Sequence, residues 1–243
     1  MDDYSEDTYG ERIADVYDQW YSEFDPSAIQ TLAELAHGGK VLELGIGTGR
    51  IALPLLKTGL AVHGIDASES MVAKLRAKPG GDRIAIKMGN FVEISIEGQF
   101  TLIYVVFNTF YSLLTQEEQI RCFKNVAEHL TSDGVFVIEA FVPDLKRFTG
   151  GQAIRLNRIE VNEVQIDVSQ IESDAQIVTS QHIVLTELGA RLYPVKLRYV
   201  WPVEMDLMAR LCQMRLKERW SDWGKSQFTA DSVKHISVYE HWR

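Results

Sequence analysis

Three closely spaced glycines and one aspartate are the residues of this sequence that most clearly indicate chemistry. Gly45, Gly47 and Gly49 follow the apolar segment 41–44, and Asp66 ends a second apolar segment after an intervening helical pattern. Glycine is favoured where a turn is tight and where a ligand approaches the backbone closely. A strand–helix–strand unit with a glycine-rich first turn is typical of a nucleotide-type cofactor site, where Asp66 offers two acceptor oxygens to a ribose diol.

The glycine spacing and a preceding acid narrow the choice of cofactor. A dinucleotide site has the spacing G-x-G-x-x-G, with a helix N-terminus facing a pyrophosphate. Here the spacing is G-x-G-x-G, and Glu43 stands just before it. A carboxylate at this point would repel a pyrophosphate, and it suits a ligand that carries a positive amino group and a sulfonium.

The segment E-L-G-I-G-T-G (43–49) resembles the first motif of the class I S-adenosylmethionine-dependent methyltransferases. Four further segments resemble later motifs of that family and occur in the same order: G-I-D-A-S (64–68), G-N-F (89–91), F-T-L-I-Y-V-V-F-N-T-F (100–110) and L-T-S-D-G-V-F-V-I-E (130–139). The resemblance spans roughly residues 10 to 142. It implies S-adenosyl-L-methionine as cofactor and S-adenosyl-L-homocysteine as product.

The resemblance also implies roles for single residues. Asp66 would take the ribose hydroxyls, Asn90 and Phe91 the adenine edge, and Phe107 would cover the methionine part; the family more often has an aspartate where this chain has Asn90. Met71 is equally well explained as a core residue. The full set of predicted cofactor-binding residues is Tyr9, Tyr17, Glu43, Gly45, Gly47, Gly49, Asp66, Ala67, Met71, Asn90, Phe91 and Phe107.

A general base is useful if the acceptor must lose a proton during methyl transfer. The predicted catalytic candidates are Glu139, Tyr21, Tyr111 and His182, and no metal site is predicted. Glu139 ends the last parallel strand, where doubly wound folds bind ligands; the alternative is a carboxylate bonded to loop amides. His182 lies in a predicted strand, and an exposed or core-edge histidine is the alternative there.

The elements that must position these residues alternate between strands and helices as far as residue 142. Together with the resemblance, this predicts an α/β fold with a doubly wound, seven-stranded Rossmann-like sheet. After Pro143 the apolar residues recur with period two, which predicts three antiparallel strands forming an inserted β-sheet lid. We expect an N-terminal helical lid at 1–37, the Rossmann-like core at 38–142 and 202–243, and the antiparallel insertion at 143–201.

The composition excludes several classes of function. The chain has 243 residues, 46% hydrophobic residues and a net charge of −9. Because phosphate binding needs a basic face, nucleic acid is not an expected partner. There is no apolar run long enough to span a membrane and no signal-peptide pattern, and the two cysteines lie far apart. These features predict a cytoplasmic protein without membrane association; a homodimer stays open.

The acceptor is the least determined part of the interpretation. The aromatic segment V-Y-D-Q-W-Y (16–21) and the β-rich segment after Pro143 resemble small-molecule methyltransferases of natural-product and amine tailoring. N- or C-methylation of an amine or an electron-rich heteroaromatic metabolite is therefore favoured. Two other functions stay open: a non-catalytic S-adenosylmethionine-binding regulator or scaffold, and a nicotinamide-dependent oxidoreductase, which the glycine spacing disfavours.

Overall fold

The computed structural model describes residues 3–94 and 96–242, which form two β-sheets with helices packed around them. The helices are α1 (Thr8–Trp20), α2 (Pro26–Ala36), α3 (Ala52–Leu56), α4 (Glu69–Arg76), α5 (Gln116–His129) and α6 (Pro202–Leu211). The strands are β1 (Lys40–Leu44), β2 (Ala61–Asp66), β3 (Ala85–Met88), β4 (Phe100–Val105), β5 (Leu130–Phe141), β6 (Gln152–Ile159), β7 (Glu163–Glu172), β8 (Ile177–Thr186), β9 (Gly189–Arg198), β10 (Met214–Trp220) and β11 (Lys234–His241).

The larger sheet has seven strands in the order β10-β11-β5-β4-β1-β2-β3. Strands β1 to β5 pair in parallel, while β11 is antiparallel to both β5 and β10. The central strands β1 and β4 are almost completely buried, as expected for parallel strands covered by helices on both faces. The predicted doubly wound, seven-stranded Rossmann-like sheet is confirmed.

The smaller sheet, called the lid sheet below, has four antiparallel strands in the order β6-β7-β8-β9. The sequence predicted three strands and merged β6 with β7. A bulge between Leu156 and Arg158 interrupts the alternation of apolar residues in β6. The turn that follows, at 160–162, contains neither glycine nor proline, and Asn162 is its one turn-favouring residue, so the local turn signal is weak.

Side-chain caps fix the starts of α4 and α5. The hydroxyl of Ser68 accepts from the amide of Met71 and starts α4, and Thr115 with Glu118 forms a capping box at the start of α5. Both caps were predicted from the sequence. Helix α1 ends at Trp20, four residues earlier than the aromatic periodicity indicated.

Helix α1 lies between the two sheets. Its buried residues Ile13 and Ala14 form one apolar cluster with Met71 of α4 and with Val184 and Tyr193 of the lid sheet. The indole of Trp20 packs edge-on against Tyr193, with ring centroids 4.9 Å apart. The helix therefore connects the lid sheet to the side of the main sheet that carries α4, called the cofactor side below because the predicted cofactor residues Asp66 and Met71 lie there. Within residues 3–94 and 96–242, no helix combines the length and the apolarity needed to cross a membrane.

Candidate active site

A cavity of about 680 Å³, called the main cavity, opens beyond the carboxyl ends of the parallel strands. Its floor is made by the loops after β1, β2, β3 and β4, and its roof by α1 and the lid sheet. Eleven of the twelve predicted cofactor-binding residues line it. Gly49 does not: at φ +79°, a Cβ there would meet Leu75 at 2.9 Å, so this glycine serves helix packing.

The loop after β1 requires glycine at two positions that line the main cavity. Gly45 and Gly47 have φ values of +72° and +54°, in the left-handed region that side chains disfavour. A Cβ on Gly45 would lie 2.4 Å from the Thr109 side chain. The amides of Gly45 and Ile46 both donate to the carbonyl of Ile65, which ties the loop to the end of β2. The loop therefore presents bare backbone to the cavity.

Asp66 is the acid at the end of β2, and main-chain amides hold its carboxylate in place. Its Oδ2 accepts from the amide of Gly47 at 2.6 Å, and its Oδ1 accepts from the amide of Ser68 at 2.9 Å. Burial raises the pKa of Asp66, against these hydrogen bonds. Each carboxylate oxygen has two lone pairs, so both oxygens keep acceptor capacity toward the cavity.

Glu43 is a carboxyl group inside the protein that also lines the main cavity. Its side chain is almost fully buried, and the hydroxyl of Tyr104 donates to its Oε2 at 2.9 Å. Burial raises the pKa of Glu43 to about 8, although Tyr104 and the nearby Arg50 act in the opposite direction. The group is therefore mostly protonated at neutral pH when no positive ligand lies beside it.

Tyr9 and Tyr17 of α1, together with Tyr21 just after the helix, cover the main cavity with neutral hydroxyls. Tyr9 and Tyr21 are hydrogen-bonded to each other, and the Tyr21 ring lies 5.0 Å from both Tyr17 and Phe107. Burial raises the pKa of Tyr9 and Tyr21, and that of Tyr17 to about 12. These phenols keep their protons near pH 7, so Tyr21 is a hydrogen-bonding group and a poor base.

Arg50 is a cavity residue that the sequence analysis missed. Its guanidinium lies 4.2 Å from the centre of the Phe107 ring, and it lines the main cavity next to the glycine loop. Phe107 and the following Asn108 both have positive φ values, 56° and 66°. Two consecutive non-glycine residues in this region are strained and need support from their surroundings.

That support comes from Glu139, one of the predicted catalytic residues. Its Oε2 accepts from the amide of Phe107 at 3.2 Å, its carbonyl accepts from the amide of Asn108, and its Oε1 is 3.1 Å from Lys234 Nζ. Tyr111, another predicted catalytic residue, is buried, with its hydroxyl directed at two main-chain carbonyls. Neither residue is among the described residues that line the main cavity.

Three acids on one face of α1 attach this helix to the cofactor side. Glu11 accepts from Ser68 Oγ at 2.7 Å, and Asp15 pairs with Lys74 at 2.8 Å. Asp18 accepts from Thr48 Oγ1 at 2.6 Å and pairs with Lys78. The spacing of four and then three residues places the acids on consecutive turns. This acid row was not identified from the sequence, because its partners lie on other elements.

Asn90, the predicted adenine-edge residue, forms hydrogen bonds to other residues of the protein through both polar atoms of its side chain. Its Nδ2 donates to Glu6 Oε2 at 2.5 Å, and its Oδ1 accepts from the amide of Val92 at 2.9 Å. Phe91, beside it, is buried and lines the main cavity.

His182 and Asp167 form a bonded pair on the lid sheet, at the roof of the main cavity. They are directly opposite each other on β8 and β7, and His182 Nδ1 lies 2.5 Å from Asp167 Oδ1. Hydrogen bonds from His182 and Asn157 lower the pKa of Asp167 against its burial. With Nδ1–H donated to the carboxylate, the Nε2 of His182 carries the lone pair. Among the residues that the structure describes, no hydrogen bond to this nitrogen occurs.

Asp167 was not identified from the sequence, although a local signal exists. In β7 the apolar residues Val164, Ile166 and Val168 alternate with polar ones, so Asp167 lies on the polar face. The direct pairing with His182 depends on the register of β7 against β8, which the alternation alone does not give.

Comparison with known proteins relates this geometry to a family. The methyltransferase domain family matches residues 41–134. The crystal structure of the CcbJ methyltransferase from Streptomyces caelestis is similar over 99% of this chain and 100% of its own, with 39% identity and a TM-score of 0.93. This chain belongs to the S-adenosylmethionine-dependent methyltransferases. That membership removes the nicotinamide oxidoreductase alternative and establishes the protein as an enzyme.

Two further similarities concern methyltransferases from natural-product producers. The cypemycin N-terminal methyltransferase from Streptomyces sp is 24% identical over 96% of this chain and 97% of its own length. The structure of the sugar N-methyltransferase KedS8 from Streptoalloteichus sp covers 92% of this methyltransferase at 14% identity, with a TM-score of 0.66, which is a similarity of fold.

Proposed function

We propose that this methyltransferase transfers a methyl group from S-adenosylmethionine to the nitrogen of a small-molecule amine. The observation that carries this proposal is the bonded pair of Asp167 and His182, which lines the same cavity as the glycine loop and Asp66. The names of the cypemycin N-terminal methyltransferase and the sugar N-methyltransferase KedS8 favour nitrogen as the acceptor atom. A cytoplasmic location and a homodimer stay predictions.

The residues of the main cavity fit the cofactor. Gly45 and Gly47 leave the backbone open where a Cβ would fill the space, and Asp66 keeps lone pairs for two ribose hydroxyls. Glu43 would face the amino group of the methionine part, and Arg50 is the cation beside the glycine loop that would face its carboxylate. S-adenosylmethionine supplies an electrophilic methyl group on its sulfonium when it is bound.

The remaining steps belong to side chains of the lid sheet, to Tyr21 after α1 and to Phe107 after β4. An amine is nucleophilic only when its nitrogen lone pair is free, so a proton must leave before or during methyl transfer. His182 Nε2 would accept that proton, while Asp167 holds the ring in the required tautomer and stabilises its charged form. The rings of Tyr21 and Phe107, 5.0 Å apart, would exclude water from the reacting atoms.

A binding measurement and a transfer assay test the proposal together. Calorimetry with S-adenosylhomocysteine measures cofactor binding, and a panel of amines with trideuteromethyl-labelled cofactor measures transfer by mass spectrometry. We expect His182→Asn to lower kcat by roughly 10²- to 10⁴-fold without weakening S-adenosylhomocysteine binding. His37→Asn is the matched control, because His37 is exposed at a left-handed position that asparagine tolerates.

Three results would contradict this function or the role of His182 in it. Transfer to oxygen or carbon nucleophiles in preference to all amines would refute nitrogen as the acceptor atom. An unchanged kcat in His182→Asn would remove His182 as the base. Tight binding of S-adenosylhomocysteine without any methyl transfer would favour the binding-only regulator instead.

A further inference from the structure

The part of the main cavity that faces the lid sheet has a charge pattern that the cofactor does not explain. Arg147 and Arg155 both line it, and among the described residues no hydrogen bond or close ion pair joins either guanidinium to a carboxylate, although the charge of Arg155 helps to lower the pKa of Asp167 on the neighbouring strand. Arg147 stacks on Phe148, with its guanidinium 4.7 Å from the ring centre. The one carboxylate among the described lining residues of this part, Asp167, is already bonded to His182.

A second cavity of about 380 Å³ adjoins the main one at the lid sheet. Four residues line both cavities: Tyr21, Arg155, Asp167 and His182. The second cavity adds the amide side chains of Gln19, Asn157 and Gln165, the Trp20 indole and Arg158. Since Arg158 is paired with Glu160 at 3.0 Å, Arg155 is the guanidinium that remains available where the two cavities meet.

The strand register sets the distance between Arg155 and the proton-accepting histidine. Arg155 is opposite Asp167 across β6 and β7, and Asp167 is opposite His182 across β7 and β8. Adjacent strands are about 4.8 Å apart, so the backbones at Arg155 and His182 are separated by about 10 Å. A single small molecule can therefore offer its nitrogen to His182 and an acidic group to Arg155.

We propose that Arg155 forms a subsite for an acidic group of the acceptor, so that the acceptor is an amine carrying a carboxylate or a phosphate. The planar guanidinium matches both groups with two parallel hydrogen bonds. The amide-lined second cavity receives the remainder of the molecule. This inference rests on the proposed function, because it assigns one end of the acceptor to His182.

Matched pairs of amines that differ in a single acidic group test the subsite. We would use alanine against alaninamide and phosphoethanolamine against ethanolamine, each with trideuteromethyl-labelled cofactor and the full-length protein. The acidic member of at least one pair is expected to have the lower KM, and the pair in which it does identifies carboxylate or phosphate. Its KM should also rise with ionic strength more steeply than that of the neutral member.

Arg155→Gln removes the charge while keeping a polar side chain. The KM of the acidic member, divided by that of its neutral partner, should rise about tenfold, with kcat for the acidic member within about twofold. The matched control is Arg210→Gln, an exposed residue of α6 that lines neither cavity, where the ratio should not move.

Three outcomes would overturn the subsite. Neutral amines methylated as well as their acidic partners would remove the preference, and an equal KM change for both members in Arg155→Gln would show that the residue only shapes the cavity. Methylation confined to neutral amines would reverse the assignment. Failure to methylate any amine of either kind would instead contradict the proposed function, and the subsite with it.

Discussion

The protonation state of Glu43 gives a prediction whose size follows from the structure. An unfolded glutamate has a pKa of 4.5, whereas burial raises the pKa of Glu43 in the folded chain to about 8. Between these two pH values the folded state holds a proton that the unfolded state has lost. The free energy of unfolding must therefore fall as the pH rises, by up to about 1.4 kcal/mol for each pH unit.

Glu43→Gln should remove this pH dependence while keeping the local structure. The amide oxygen of glutamine can still accept from the Tyr104 hydroxyl, which lies 2.9 Å from Glu43 Oε2. Between pH 5.5 and 7.5 the variant should gain about 2.5 kcal/mol relative to the wild type. For a protein of this size that corresponds to a relative shift in Tm of roughly 5 to 10 °C.

Thermal and urea unfolding, followed by circular dichroism at several pH values without added cofactor, measure this difference. Glu128→Gln is the matched control, because it removes the same charge from an exposed site on α5. Parallel stability curves for Glu43→Gln and the wild type over this pH range would refute the reasoning. A second arm adds S-adenosylhomocysteine, whose amino group should favour the ionised carboxylate and reduce the wild-type pH dependence.

The remaining predictions concern the cofactor side and the helix caps. Asp66→Ala should weaken S-adenosylhomocysteine binding roughly 100-fold by calorimetry, because it removes hydrogen bonds to a charged group. The control Asp82→Ala, at an exposed site, should leave binding unchanged. Equal affinities of Asp66→Ala and the wild type would exclude the ribose role. Asp18→Asn breaks a half-exposed ion pair with Lys78, so it should lower the free energy of unfolding by less than about 1 kcal/mol. It should nevertheless speed cofactor dissociation in stopped-flow measurements. An unchanged dissociation rate would mean that α1 does not retain the cofactor. Thr115→Ala should lower stability by about 1 kcal/mol through loss of the α5 capping box, with unchanged kcat.

The cofactor side was predictable because its determinants are local in the sequence. The first strand–helix–strand unit contains Gly45, Gly47 and Asp66 within 22 residues, and the contact between Asp66 and the Gly47 amide closes that unit on itself. The cap residues Ser68 and Thr115 act within three residues of their own positions. Such signals can be recognised without knowing the fold of the rest of the chain.

The contacts that join distant elements of the site were less predictable. Arg50, in the loop after β1, contacts the Phe107 ring in the loop after β4, and the acids of α1 contact partners 30 to 60 residues away in the sequence. Glu139 is the clearest example of a residue whose contacts could not be read from the sequence. Its position at the end of a strand indicated catalysis, but its carboxylate accepts a hydrogen bond from the strained loop at 107–108.

The pairing of Asp167 with His182, on which the proposed acceptor site rests, depends on the register of the lid sheet. Because side chains alternate between the faces of a strand, a shift of one residue in β7 and β8 would replace the pair of Asp167 and His182 with Ile166 and Ile183, which are opposite each other in the observed register. The glycine loop and Asp66 would not change, since they belong to the other sheet. Changes in the lid sheet can therefore alter the acceptor while the methyl donor stays the same, so substitutions along β6 to β8 should change acceptor preference without changing S-adenosylhomocysteine affinity.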